Sequence, residues 1–473
     1  MTLTHSIELH PDRLLPADPA VRGVARELYA SVAGLPIISP HGHTDPAWFA
    51  TNEPFGDAAE LLLAPDHYLF RMLYSQGIEL ERIGLHPQGY EGPKVEPREA
   101  WRLFAANYHL FRGTPSRMWL DWVFSEVFDI VELLDDRTSD LYFDTITEAL
   151  KRDEYRPRAL FDRFNIEVIT TTESPLDDLR HHAAIRSSEW DGRVITAYRP
   201  DPVVDPEFEG FLGNLEQLSR LTGEDCFSYT GYLAAHRQRR EYFAAAGATS
   251  TDHGHPSAGT ADLTQQEAEQ LFATVAKGKS TAEQAELFRA HMLTVMAGMS
   301  VDDGLVMQIH PGSFRNHNSR LFASVGRDKG ADIPMRTDYV HALKPLLDRY
   351  GNDKSLSLIV FTLDESTYAR ELAPLAGHYP ALKLGPAWWF HDSPEGMRRF
   401  RSQVTETAGF YNTVGFNDDT RAFLSIPARH DVARRIDCGF LAQLVTEHRM
   451  QDWEAAELAK DLSYNLAKVA YKL

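Results

Sequence analysis

Eight short apolar runs, each ending in polar residues and most followed by a longer helical pattern, constrain this chain more than any other feature. They are LPIISPHGH (35–43), IEVITTTE (166–173), RVITAYRPD (193–201), GATSTDHGH (247–255), GLVMQIHPG (304–312), LSLIVFTLDE (356–365), ALKLGPAWWFHD (381–392) and NTVGFNDDTR (412–421). Runs that are apolar throughout suit parallel strands covered on both faces. Eight of them alternating with helices predict an α/β fold of the (β/α)8 TIM-type barrel. Such a barrel needs about 250 residues, and the chain has 473. Most of the excess falls between the first two runs. We therefore expect an N-terminal helix and first strand over 1–49, a helical insertion over 50–163, and the rest of the barrel with C-terminal helices over 164–473. Within the insertion, RMWLDWVFSEVFDIVELL (117–134) is the clearest amphipathic stretch. Further helical excess flanks the fourth run, where ATSTDHGHPSAGTADLT reads as a loop able to act as a lid.

Barrels of this type carry their chemistry at the C-terminal strand ends. Here those ends present His41 and His43, Arg199, Asp252, His310, Trp388 and Trp389, then Asp418, Asp419 and Arg421. Stabilising a barrel calls for Val, Ile and Leu, so this series points to function. In an extended segment residues i and i+2 share a side, which lets His41 and His43 aim two imidazoles at one point. An aspartate from the last strand, its neighbour in a closed barrel, would complete a site for one divalent ion. Asp66 reads as the cap of a helix opened by DHYLFR (66–71), with Arg315 in the HPGSFRNHN loop. His253 and His255 read as loop residues, and His181 and His182 as part of an exposed outer helix.

The formal charge of −20, with no basic run, argues against nucleic acid and anionic membranes as partners. An anionic substrate would have to be held by specific arginines. Two cysteines, Cys226 and Cys438, fit a reducing compartment. The first residues lack the order of a signal peptide, and no apolar run approaches the ~20 residues of a membrane span. A cytoplasmic globular protein is expected.

Nine motifs in order resemble the uronate (glucuronate) isomerases of the amidohydrolase superfamily: HGH, DHYLFR, TTTESPLDDLRHH, AYRPD, TDHG, QIHPGSFRNHN, GPAWWFHD, DDTRAFLS and RHDVARRI. The resemblance covers nearly the whole chain and implies the same barrel with a helical insertion. Carried over by position, it implies metal ligands His41, His43 and Asp419, the last because the family pattern is Asp-x-Arg. It implies substrate contacts from His67, Tyr68, Arg199, Asp252, His310, Arg315, Trp388 and Arg421. The family often has Cys between the two histidines and Leu after them, where this chain has Gly42 and Thr44.

The implied reaction interconverts D-glucuronate and D-fructuronate, with D-galacturonate and D-tagaturonate as a second pair. It runs through an enediol, with Asp419 and Tyr68 moving protons, His67 assisting, and one divalent ion (zinc, with manganese and iron as alternatives) polarising the oxygens. The arginines suit the substrate carboxylate. A homo-oligomer is the expected assembly. Two rivals stand beside this reading. One is a hydrolase on the same barrel. The superfamily's hydrolases commonly add a lysine or glutamate after the fourth strand and a histidine after the sixth. Their absence here disfavours a binuclear site but leaves a mononuclear hydrolase standing. A non-catalytic sugar-acid binder would have no use for the proton carriers.

Overall fold

The computed structural model describes residues 5–87 and 89–473. β-Branched residues dominate the first strands, and each strand is short: β1 (Ile37–Ser39), β2 (Ile166–Glu173), β3 (Arg193–Tyr198), β4 (Ser250–His253) and β5 (Val306–Ile309). Next come β6 (Ser313–Phe314) and β7 (Ile333–Pro334), which pair only with each other as an antiparallel ribbon, then β8 (Leu358–Val360) and β9 (Leu382–Leu384). The remaining seven form one parallel sheet in the order β1-β2-β3-β4-β5-β8-β9. Sequential neighbours paired in parallel, with helices between them, make a barrel of the (β/α)8 type.

The eighth run departs from expectation. It contributes a single parallel bridge, Thr413 to Leu384, rather than a strand. Gly415 turns into the left-handed region (φ 76°) and sits so close to the final helices that a β-carbon would lie 3.1 Å from the Leu462 carbonyl. Extended pairing cannot continue through that turn. The chain instead reaches the first strand's side through the His43 amide, which donates to the Thr420 carbonyl at 3.0 Å.

Between β1 and β2 the chain is helical, and the insertion shares its apolar core with the barrel. Trp101, Phe104, Tyr108, Phe124 and Tyr142 pack in one cluster with Ile37, Ile166 and Ile169 of the first two strands. That shared core fixes the insertion over one side of the barrel mouth. The 117–134 stretch is helical only in its first part. Helix Pro115–Trp122 widens into a π turn at Val123–Val127, and Asp129 (φ 56°) ends it.

Three further expectations are corrected. The proposed lid segment supplies the fully buried strand β4, and its continuation is tied down by Thr260, whose amide donates to the Ala342 carbonyl. His253 accordingly belongs to a strand rather than a loop, while His255 lies in the loop that follows; both are buried. His182 is also buried, its Nε2 lying 2.9 Å from the Thr171 hydroxyl. In each case tertiary packing overrides a weak local pattern. No helix among the described residues is long and apolar enough to cross a membrane.

Candidate active site

The strand ends open into one cavity of about 730 Å³. Every residue singled out for metal, substrate or proton transfer lines it: His41, His43, His67, Tyr68, Arg199, Asp252, His310, Arg315, Trp388, Asp419 and Arg421.

The floor is built by strand ends. His43 Nε2 lies 3.2 Å, and His41 Nε2 3.6 Å, from Asp419 Oδ1. The ligating atoms of the three residues all fall within 4.8 Å of one another, so the three could hold one metal ion. His41 Nδ1 and Asp419 Oδ1 are buried with no hydrogen-bond partner, a costly arrangement for polar atoms that have nothing to bind. Two imidazoles and a carboxylate suit zinc, manganese or iron, so the donor set fits such an ion. Asp419 stands at φ 37°, a conformation aspartate tolerates better than most residues, and the Trp388 indole donates to its second oxygen. Burial alone would raise its pKa, but His41 and His43 hold it far below the usual carboxylate range. Burial lowers His41 to about 4, keeping the imidazole neutral and able to ligate.

Beside this trio stands a second. His310 Nδ1 is 2.6 Å from Asp252 Oδ1 and must be the donor, since an ionised carboxylate only accepts. Asp252 is also 3.1 Å from Arg199 Nη1 and 4.0 Å from His41 Nε2. His310 is sandwiched between His41 and Phe361. Its Nε2 is buried and without a partner.

The opposite wall comes from the insertion. Asp66 caps helix His67–Ser75, accepting from the Tyr68 and Leu69 amides. His67 and Tyr68 turn into the cavity with their rings stacked 4.7 Å apart. The expected cap is therefore present, and His67 and Tyr68 behind it face the site. The Tyr68 hydroxyl donates to the Trp389 carbonyl at 3.1 Å and to Asp392 Oδ2 at 3.3 Å. Arg429 Nη1 holds the same Asp392 oxygen at 2.6 Å. Burial, reinforced by Asp392, pushes the Tyr68 phenol well above its ordinary value. Burial also lowers His67 to about 3, with Arg421 adding to the effect, and raises Asp392 to about 6 against the pull of Arg429.

The arginines divide into two kinds. Arg199 is already turned to Asp201 (2.9 Å) and Asp252. Among the described residues Arg421 pairs with Asp328 alone, at 3.1 Å, and Arg315 lies 3.9 Å from Asp332 while facing the Trp389 ring. Sequence reasoning missed Asp392, Arg429, Arg327 and Asp328, all of which line the cavity or brace a residue that does. The only sequence signal for the last two is the glycine-flanked charged segment GRDKG (326–330).

A sequence profile described as glucuronate isomerase matches residues 20–471, all but the ends of the chain. The chain belongs to the glucuronate isomerase family. It is 75% identical over 469 residues to a uronate isomerase of Sphingopyxis alaskensis, covering 98% of this chain and 99% of the relative. A crystal structure of glucuronate isomerase from Caulobacter crescentus matches with a TM-score of 0.97 at 66% identity, covering 99% of this chain and 98% of that one. The uronate isomerase of Thermotoga maritima keeps a TM-score of 0.90 at 26% identity, over 98% and 99% of the two chains. Membership favours the isomerase over both rivals weighed from sequence.

Proposed function

We propose that the protein is a uronate isomerase, interconverting D-glucuronate and D-fructuronate, and that D-galacturonate and D-tagaturonate share the site. The observation that carries this reading is the meeting of the His41–His43–Asp419 set with the His67–Tyr68 pair across one arginine-rimmed cavity.

The open-chain aldose must lose a proton at C2, gain one at C1, and shift a hydroxyl proton between O2 and O1. Asp419, ionised on the cavity floor, takes the C2 proton and, after exchange with solvent, delivers a proton to C1. Tyr68 stays protonated at neutral pH, so it enters as a donor, with Asp392 and Arg429 fixing its hydroxyl. His67, neutral and with an unpartnered Nε2, relays the hydroxyl proton. His310, steered by Asp252, presents its own free nitrogen to the sugar oxygens. A divalent ion on His41, His43 and Asp419 would supply a Lewis acid for those oxygens. The insertion wall and Trp388 shield the enediol from bulk water. Arg315 and Arg421, rather than the already paired Arg199, bind the uronate carboxylate.

Metal-supplemented protein given D-glucuronate should form a keto-sugar, read by NMR of the mixture. Failure to convert any hexuronate, alongside cleavage of an amide or ester, would instead indicate a hydrolase.

A further inference from the structure

The rim of the cavity holds a carboxylate that the isomerase mechanism does not use. Asp328 Oδ2 lies 3.1 Å from Arg421 Nη2. Both side chains are about two-fifths exposed. Burial would raise the Asp328 carboxyl, but Arg421, with Arg315 and Arg199 behind it, holds it well below the usual range. A protein carboxylate thus sits in the field of the arginines to which we assign the substrate carboxylate.

The backbone around Asp328 is built to let it move. Asp328 itself is left-handed (φ 59°), between Gly326 (φ 80°) and Gly330 (φ 77°). Gly330 lies against the helix that carries His67 and Tyr68. A β-carbon there would stand 2.7 Å from the His67 carbonyl and 2.9 Å from the Arg71 β-carbon. At the far end the loop is anchored, because Asp332 is buried and accepts from the Asn316 amide at 2.6 Å. Asp332 is therefore fixed, whereas Asp328 is held by one half-exposed ion pair, a weak interaction that is readily exchanged. Two other acid–arginine pairs at the site are of a different kind: Asp392 and Arg429 are both buried, and Asp252, paired with the quarter-exposed Arg199, is fully buried.

We propose that Asp328 is a specificity residue whose carboxylate occupies the Arg421 anion position until a sugar brings its own carboxylate to replace it. The inference rests on the uronate reading of the site. A uronate exchanges one carboxylate for another at Arg421. A neutral hexose offers no such replacement and leaves Asp328 closed. The glycines let the loop give way without disturbing Asp332 or the helix of His67.

Asp328→Asn tests this, since asparagine also accepts the left-handed backbone and keeps the side chain's size while replacing the charged oxygen that pairs with Arg421. With the internal competitor gone, KM for D-glucuronate should fall about two- to fivefold, the range an exposed ion pair supports. A rise in KM would make Asp328 a residue that aligns Arg421, and an unchanged KM would mean the pair is idle; either overturns the proposal. A second readout is independent of turnover. Phenylglyoxal modification of Arg421, followed by peptide mass spectrometry, should be faster in Asp328→Asn than in the parent protein, and acetate should slow it more in the variant. Equal rates would overturn the proposal even if the protein converts no hexuronate, whereas faster modification without conversion would count against the uronate reading alone.

Discussion

The floor and the rim of the cavity use the same residue types in opposite ways. On the floor, His41, Asp252 and His310 are 1%, 0% and 3% exposed, and each is braced by at least one neighbour from a different strand. On the rim, Arg421 and Arg315 stand on loops, 39% and 32% exposed at their side chains, with one carboxylate each at 3.1 and 3.9 Å. The floor is rigid because these residues stand in, or within two residues of, short parallel strands, and burial makes any unpaired polar atom costly. Loop charges in contact with water exchange partners cheaply. On the proposed function, the difference separates chemistry, which needs fixed geometry, from recognition of an anion that has to enter and leave.

The sharpest way to break this comparison is to strip the floor. The His41→Ala, His43→Ala double variant should lose its bound metal, measured by elemental analysis, and its turnover should fall about a thousandfold or more. The fold should persist, because neither ring is part of the main core. Full metal occupancy in the double variant would remove these residues from the ligand set.

The wall supplied by the insertion comes next. Tyr68→Phe should lower kcat by about 10²–10³-fold with little change in KM, as expected for a group that acts on protons in the transition state. Undiminished kcat would take Tyr68 out of the mechanism.

Replacing arginines contrasts the two regions directly. Arg199→Met leaves the fully buried Asp252 without its cation and with only the His310 hydrogen bond, so it should lower folding stability by about 2–4 kcal/mol. Arg421→Met should leave the melting temperature nearly unchanged and weaken uronate binding by about 1–3 kcal/mol, seen as a raised KM. Equal effects on stability would erase the distinction drawn between floor and rim.

The smallest expected effect is one of pH. Asp392, lifted to about 6 by burial, holds the Tyr68 hydroxyl most strongly when ionised, so kcat/KM should decline as pH falls through about 6. Asp392→Asn should flatten that acid limb. On stability the sign is reversed. The fold favours the neutral carboxyl, so its contribution is complete below the ordinary value of 3.8 and lost as pH rises through about 6.

How much of this was legible in the sequence follows the same division. The floor could be read in advance because strand ends announce themselves: an apolar β-branched run that stops at His41, Asp252 or His310 has few structural explanations. The seven strands and the insertion were legible for the same reason. The eighth strand was not, since its apolar run says nothing of Gly415 turning under the last helices. Asp392, Arg429 and Asp328 stayed hidden because what makes each of them matter is a partner far away in the chain: Tyr68, Asp392 again, and Arg421. His182 and His253 were misplaced because burial of a polar residue depends on what folds over it, which local pattern does not record.

The central claim is that this cavity moves a proton between C2 and C1 of an open-chain uronate. Turnover of D-glucuronate in heavy water, with the product read by proton and deuterium NMR, tests it most directly. D-Fructuronate should carry solvent deuterium at C1, to an extent set by exchange at the base. D-Fructuronate formed without deuterium at C1 over many turnovers, with the C2 hydrogen carried across intact, would point to direct hydride transfer and contradict the proton-transfer roles given to Asp419, Tyr68 and His67.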